Sequence, residues 1–458
     1  MGADSMSVLH VKYLIVGGGL AGSAAAEAIR AIDPQGELVM VGREAIRPYH
    51  RPPLSKTYLS RRSPREELFV QPATWYAEKQ IQLRTGVRAA HLDVARRVVT
   101  LESGQGISFD RLLLATGMSP MHLTIAGADL PNVYYLRTLD DVERLGHAID
   151  KAKHEGLKHA SNSFAPSGGS ASADPASVAA GAGASGNGAG RARGRVTVIG
   201  GGVLGVEIAA TLTQLGLSVD LVVAHAHPWD KFAGENTGKF LAHYLEKHGV
   251  TVHANRRPIR LEGDGRVQRV VLDEQTSIAC DFVIPAIGAT TNKELLRGTS
   301  INAEKAILVD NRCRTNVADI FAAGDCAAVF DPLFGKHRIL DHWDHAKVSG
   351  AIAGTNMAGG DVGYEAVNYF FSDVFELSLS GWGEVKQVDR RLIRGSATLE
   401  SGDFVEIGIA ADGRVAQVLA INHAGEDDLL RELVGNRVRV EGKEEALKDP
   451  AFPLQTLL

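Results

Sequence analysis

The strongest constraint on the fold is a ten-residue pattern that this 458-residue chain carries twice. The first copy reads Tyr13-Leu14-Ile15-Val16-Gly17-Gly18-Gly19-Leu20-Ala21-Gly22. The second, far along the chain, reads Val196-Thr197-Val198-Ile199-Gly200-Gly201-Gly202-Val203-Leu204-Gly205. In each, an apolar run of strand type enters G-x-G-x-x-G and a helical pattern follows. Such glycines permit a tight turn, a close approach of backbone to a pyrophosphate, and close packing of helix on strand. The helix N-terminus then faces the phosphates. One match alone would say little. Two, each in strand–turn–helix context, imply two dinucleotides bound by one chain, and the usual reason to bind two is to pass electrons between them.

The length fits about three domains. Residues 11–120 read as a first α/β unit, with a helix over 22–31, a turn at Asp33-Pro34-Gln35-Gly36 and a strand over 37–41. Arg111-Leu112-Leu113-Leu114-Ala115-Thr116-Gly117 is a later buried strand that ends on glycine. The chain leaves this unit near 127–135, and a polar helix is predicted over 140–159. Residues 161–194 are almost wholly Ser, Ala, Gly, Pro and Asn. That composition cannot bury enough apolar surface to offset ordering entropy, so a disordered, inert insertion is expected there. Residues 195–288 form the second unit, closing on Cys280-Asp281-Phe282-Val283-Ile284-Pro285-Ala286-Ile287-Gly288. Ile320-Phe321-Ala322-Ala323-Gly324-Asp325 repeats the strand-to-glycine pattern and adds an acid. Beyond 360, alternating runs over 375–382, 392–397 and 415–421 predict strands, and a helix follows over 426–433.

Bulk properties exclude several classes. The net charge is −5 and no Lys/Arg block stands out, so nucleic acid is not an expected partner. No apolar run approaches the roughly 18 residues of a spanning helix. Residues 1–11 lack a charged and then apolar leader, and Met6 breaks the myristoylation pattern that Gly2 would begin, so a cytoplasmic protein is expected. Cys280, Cys313 and Cys326 stand singly, well separated in the chain. With neither C-x-x-C nor C-x4-C, no redox-active disulfide between chain neighbours and no cysteine zinc site is expected. Asp341-His342-Trp343-Asp344-His345 contains H-x-x-H, but two histidines without a third ligand at fixed spacing do not predict a metal.

Pro48-Tyr49-His50-Arg51-Pro52-Pro53-Leu54-Ser55-Lys56 lies just after the second strand of the first unit, at the edge where that unit's ligand belongs. Taken with the first glycine loop, Ala115-Thr116-Gly117, the second glycine loop with Glu207, Ala323-Gly324-Asp325, Asp341–Ala346 and Phe370-Phe371-Ser372-Asp373, it gives seven matches in order over most of the chain. In this the chain resembles the FAD-dependent NAD(P)H reductases that include ferredoxin and rubredoxin reductases, monodehydroascorbate reductase and apoptosis-inducing factor.

The resemblance implies an α/β fold of two Rossmann-like dinucleotide-binding domains, of the glutathione-reductase-like FAD/NAD(P) kind, plus a C-terminal α+β domain. The expected division is an FAD-binding domain over 8–126 and 289–345, an NAD(P)H-binding domain over 127–288, and a C-terminal domain over 346–458. Gly17, Gly19, Leu20, Ala21 and Gly22 would hold the FAD pyrophosphate, and Glu44 the adenosine ribose. Arg51 would contact the diphosphate side, Thr116 and Gly117 would pass the flavin, and Gly324 with Asp325 would reach the ribityl or phosphate. Gly200, Gly202, Val203, Leu204, Gly205 and Gly288 would receive NAD(P)H. Asp341, His342 and Trp343 would lie by the nicotinamide, Asp341 on its carboxamide and Trp343 against its ring. Lys56 and Glu207 would form the catalytic pair beside flavin N5, where a cation stabilises the charge that arrives with hydride.

The choice of nicotinamide is less constrained. A second strand selecting NAD usually ends in an acid. Here it runs Asp220-Leu221-Val222-Val223-Ala224-His225, with neither acid nor arginine at its end, and His225, His227 and Lys231 tolerate a 2′-phosphate. Both NADH and NADPH remain open, with NADH favoured. For the acceptor, a small iron–sulfur protein comes first. A small-molecule radical such as monodehydroascorbate comes second, against which Lys347 and Phe371 replace an arginine and a tyrosine of the plant enzymes. A slow, NADH-sensing protein like apoptosis-inducing factor is the third reading. A monomer or a homodimer is expected.

Overall fold

Apolar runs without alternation become the parallel central strands of two sheets, as expected for strands covered on both faces, and the first sheet adds an antiparallel edge of Val98–Leu101 and Ala89–Asp93. The computed structural model describes residues 8–162, 194–423 and 425–458. In the first sheet, Leu9–Val16 is flanked by Leu38–Val41 and Gly106–Leu114, both parallel to it. Ile81–Arg84 extends one side, and Ile320–Ala322 returns from far along the chain to pair with Gly106–Leu114. All four side chains of Leu38–Val41 are buried. Full burial of such residues is worth roughly 1.5–3 kcal/mol each, which fixes so short a strand.

The second sheet has the same plan. Arg195–Ile199 lies between Ser218–Val222 and Phe282–Pro285, with Val250–His253 outermost, all parallel. Two short strands, Met118–Pro120 and Ala289–Thr291, pair antiparallel where the chain leaves the first unit and returns to it. The third unit is a five-stranded antiparallel sheet in the order Tyr369–Val374, Leu377–Gly383, Val415–Ile421, Phe404–Ile409, Arg390–Gly395, with the helix Asp427–Gly435 against it. The sequence located the second, third and last-named of these strands and the helix. It missed Tyr369–Val374 and Phe404–Ile409.

Helix Leu139–Asn162 takes in the first two residues assigned to the insertion, and residues 163–193 of that insertion lie outside the described residues. The expected domain boundary at 345/346 falls inside helix Trp343–Met357. That helix packs along Leu20–Ile32 through two glycines. A Cβ on Gly350 would stand 2.3 Å from the Ala21 carbonyl oxygen, and one on Gly354 2.3 Å from that of Ala25. Small residues on both helices let the backbones touch, which brings Asp341 to Trp343 back to the first glycine loop. Among the described residues, no helix is long and apolar enough to cross a membrane.

Candidate functional site

The two glycine loops match position by position. Gly17 has φ +142° and Gly200 φ +128°, in the region where side chains are strained. A Cβ on Gly17 would stand 2.0 Å from the Ala115 carbonyl oxygen, and one on Gly200 2.2 Å from that of Ala286. Gly22 and Gly205 press on the carbonyls of Gly17 and Gly200 at 2.2 Å and 1.9 Å by the same measure. These last two glycines are buried and do not line the cavity, so they serve the site by packing helix on strand rather than by touching a ligand.

Gly19 and Gly202 begin the helices Leu20–Ile32 and Val203–Gln214, and neither helix has a side-chain cap. A Cβ on either glycine would meet nothing within 4 Å. Uncapped first-turn N–H groups facing open space suit an anionic diphosphate. One cavity of about 1380 Å³ runs past both helix starts and is lined by Gly17, Gly19, Leu20, Ala21, Gly200, Gly202, Val203 and Leu204. A single ligand usually occupies roughly 300–1,000 Å³. The volume and the two uncapped helices fit a pair of dinucleotides meeting end to end.

Polar groups line the first half of the cavity. Arg51 donates to Glu44 at 2.8 Å and to the Arg137 carbonyl oxygen, and the Tyr49 hydroxyl donates to Glu44 at 2.5 Å. Arg137 in turn donates to Asp325 at 2.6 Å, and its Nε is buried without a partner among the described residues. Thr116 donates to the Asn292 carbonyl oxygen at 2.6 Å, while Asn292 Nδ2 donates back to that of Thr116 at 2.9 Å. Gly117 and Gly324 line the same wall, both with positive φ. Arg137, Tyr49 and Asn292 were missed from the sequence. Arg137 is a lone cation ahead of a helix, with no motif around it.

At the join between the halves, Glu207 is buried on helix Val203–Gln214. Its Oε1 lies 3.1 Å from Lys56 Nζ and accepts from Ser372 at 2.7 Å, while Oε2 accepts from Ser55 at 2.6 Å. Burial pushes its carboxyl above the ordinary range, and Lys56 with the two hydroxyls pulls part of the way back. Thr211, one turn on, donates to the Ser55 carbonyl oxygen at 2.7 Å. Lys56 also lies 3.0 Å from Asp373 and 4.8 Å from the Phe371 ring centre. The first unit supplies Lys56 and Ser55, the second Glu207, and the third Phe371, Ser372 and Asp373. The structure therefore brings together the pair that the sequence placed together, and adds two serines and an aspartate that motif reading had left without roles.

Asp341, His342 and Trp343 line the cavity, as does Gly288. His342 stacks on Phe370 at 5.3 Å between ring centres, and burial lowers its basicity. Trp343 is tied to the first unit: its indole N–H donates to His50 Nδ1 at 2.9 Å. His345 points elsewhere. It is fully buried against the Tyr364 hydroxyl at 3.2 Å, and burial pulls its imidazole down to about 3.

Residues 11–350 match the model of the pyridine nucleotide-disulphide oxidoreductase family, and residues 369–458 match the reductase C-terminal family. The chain belongs to the pyridine nucleotide-disulphide oxidoreductase family. It is 30% identical to the ferredoxin–NAD(+) reductase component of the biphenyl dioxygenase system of Paraburkholderia xenovorans, over 97% of each chain. It is 28% identical to the corresponding component of the anthranilate 1,2-dioxygenase system of Burkholderia cepacia, covering 97% of this chain and 99% of the relative. Among solved structures, putidaredoxin reductase in its covalent complex with putidaredoxin superposes with a TM-score of 0.84 at 27% identity, over 98% of each chain. The disulphide of the family's name has no counterpart: Cys280, Cys313 and Cys326 are free and buried. Burial pushes the Cys280 thiol up to about 12 and raises the other two, which leaves no reactive thiolate.

Proposed function

We propose that this chain is an NAD(P)H-dependent FAD oxidoreductase that passes electrons to a small iron–sulfur protein of ferredoxin type. The observation that carries the reading is the single cavity joining two uncapped glycine-loop helices, with the Lys56–Glu207 pair at the join. The two curated relatives named above are ferredoxin–NAD(+) reductase components, and the solved neighbour is held covalently to putidaredoxin. Bound FAD supplies the chemistry, taking two electrons from NAD(P)H and releasing them singly. The protein supplies orientation and charge.

Helix Leu20–Ile32 would hold the FAD diphosphate at Gly19, Leu20 and Ala21, with Arg51 and Arg137 as flanking cations. Glu44 would meet the adenosine ribose, and Asp325 the ribityl side. Thr116 and Gly117 would border the flavin. Helix Val203–Gln214 would receive the nicotinamide nucleotide at Gly202, Val203 and Leu204, and Gly288 and Asp341 to Trp343 would border its ring. Lys56 would place a positive charge beside the hydride-accepting nitrogen, in a site shielded from water by Phe370 and Phe371 of the third unit. In this reading the FAD-binding domain extends through Met357, the end of the helix packed on Leu20–Ile32. Three reduced thiols fit a cytoplasmic home.

Purified protein should be yellow, with one FAD per chain. Stopped-flow mixing with NAD(P)H should bleach the flavin, and added ferredoxin should restore the colour rapidly. Colourless protein that cannot be reconstituted with FAD sinks the reading. Bleached flavin that persists in air and ignores ferredoxin points to the NADH-sensing alternative.

A further inference from the structure

In the second unit, the wall where an adenosine ribose would lie carries no carboxylate at the end of the second strand. Ser218–Val222 is followed by Val223, Ala224 and His225, and all three line the cavity. The neighbouring strand Val250–His253 runs parallel with His253 beside Val222. Backbone bonds lash the exit loops together: Arg256 N–H donates to the Val223 carbonyl oxygen at 3.0 Å and Asn255 N–H to that of His225 at 2.8 Å. This turn delivers Arg257 to the same cavity. Arg256 points away, 3.5 Å from Asp273. Arg257 is exposed, and among the described residues no carboxylate lies within ion-pair distance of its guanidinium. The one carboxylate lining this stretch, Asp230, faces two imidazoles, 3.6 Å from His225 and 3.7 Å from His227.

We propose that this edge reads a ribose 2′-phosphate, with Arg257 as its main donor and His225 as the second, so that the protein uses NADPH at least as well as NADH. The inference rests on the nicotinamide-reductase reading above. An acid at position 224 would accept from a free 2′-hydroxyl and repel a phosphate; alanine does neither. A guanidinium without a carboxylate partner binds phosphate by charge-assisted, bidentate hydrogen bonds, and no existing ion pair has to break first. In the sequence only His225, His227 and Lys231 stood out as groups that tolerate a 2′-phosphate, because Arg257 lies beyond the following strand from Ala224, outside any motif window.

Two measurements on the FAD-loaded protein test this. Calorimetry compares 2′,5′-ADP with 5′-AMP, independently of turnover. Flavin reduction is then followed with NADPH and with NADH. The 2′-phosphate should tighten nucleotide binding by about tenfold or more, and Arg257→Ala should abolish that gain. The same variant should lower kcat/KM for NADPH by about tenfold, through KM, with NADH changed by less than about twofold. Ala224→Glu should shift the preference toward NADH. Equal affinity for the two nucleotides overturns the proposal, as does an Arg257→Ala effect that is the same for both cofactors. If 2′,5′-ADP binds selectively but neither cofactor bleaches the flavin, the phosphate site stands and the reductase reading falls.

Discussion

The ammonium of Lys56 and the carboxylate of Glu207 meet at 3.1 Å, although they belong to different dinucleotide units far apart in the chain. Both are buried or nearly so, at 11% and 7% side-chain exposure, so their charges act through a poorly screened medium. Lys56→Met should leave FAD bound, slow flavin reduction by NAD(P)H, and lower the flavin midpoint potential by about 30–60 mV, the equivalent of roughly 1.4–2.8 kcal/mol for a two-electron couple. Glu207→Gln should raise it, because the neutral amide no longer offsets the lysine. The two effects should not add, since the residues form one unit. Equal potentials in wild type and Lys56→Met would reduce this lysine to a structural role.

Helix Trp343–Met357 depends on glycine where helix propensity argues for alanine. In an ordinary helix interior, Gly→Ala gains up to about 1 kcal/mol. At Gly354 the new methyl would stand 2.3 Å from the Ala25 carbonyl oxygen, so the helices must part. Gly354→Ala should therefore destabilise the protein, by about 1–3 kcal/mol, and weaken FAD retention, since the displaced helix carries Trp343 at the cavity. Denaturant midpoints and the fraction of flavin retained on gel filtration report both effects. A stabilised, fully yellow variant would contradict the packing.

The pH dependence of stability should carry the mark of His345. Its imidazole is neutral in the fold, with burial pulling it down to about 3, against an ordinary value near 6.5. Between those values the unfolded chain binds a proton that the folded chain does not. The stabilisation is thus complete above about pH 6.5, falls as pH drops below it, and is lost by about pH 3. The slope approaches about 1.4 kcal/mol per pH unit, the worth of one proton's differential binding. His345→Gln should flatten the decline in urea-derived stability between pH 6.5 and 5. Parallel profiles for the two proteins would mean that this imidazole does not set the slope.

How much of this was legible in advance depended on how local the signal was. Gly17 to Gly22 and Gly200 to Gly205 announce themselves because turn geometry, strand and helix fall within one short segment. Lys56 and Glu207 were reachable only through family resemblance, since nothing in either segment points to the other. Arg137, Asn292 and Arg257 carried no signal: each is a polar loop residue outside any motif, and its place is set by strand pairing far along the chain. Tyr369–Val374 was missed because its run of Tyr369, Phe370 and Phe371 does not alternate. Its outward aromatics face the cavity and other units rather than solvent.

Glu406 offers the clearest test of how the third unit supports the nucleotide site. It is 1% exposed on strand Phe404–Ile409, yet its carboxylate works on the second unit. Both oxygens accept from Gly234 N–H, at 2.9 Å and 3.0 Å, and Oε2 accepts from the Thr237 hydroxyl at 2.6 Å. Gly234 starts helix Glu235–Lys247 and has no side chain to cap it, so a carboxylate from another unit takes that place. Arg391 completes the cluster by donating to Glu406 and, at 2.9 Å, to Gln417. The loop just before this helix carries His225, Asp230, Lys231 and Phe232 on the cavity wall. Glu406→Ala leaves the Gly234 N–H and the Thr237 hydroxyl without their acceptor and takes the carboxylate from Arg391, so a loss of about 3–5 kcal/mol is expected, as for a broken buried pair. The KM for NAD(P)H should rise while that for ferredoxin holds, because the altered loop is tied to the second glycine loop, where the Trp229 N–H donates to the Gly201 carbonyl oxygen at 2.8 Å. Arg391→Met alone should cost less, since Gly234 and Thr237 still satisfy the carboxylate, and the double variant should fall short of the sum of the two. Strict additivity, or an equal rise in both KM values, would show that Glu406 stabilises the third unit alone and does not hold the nucleotide loop.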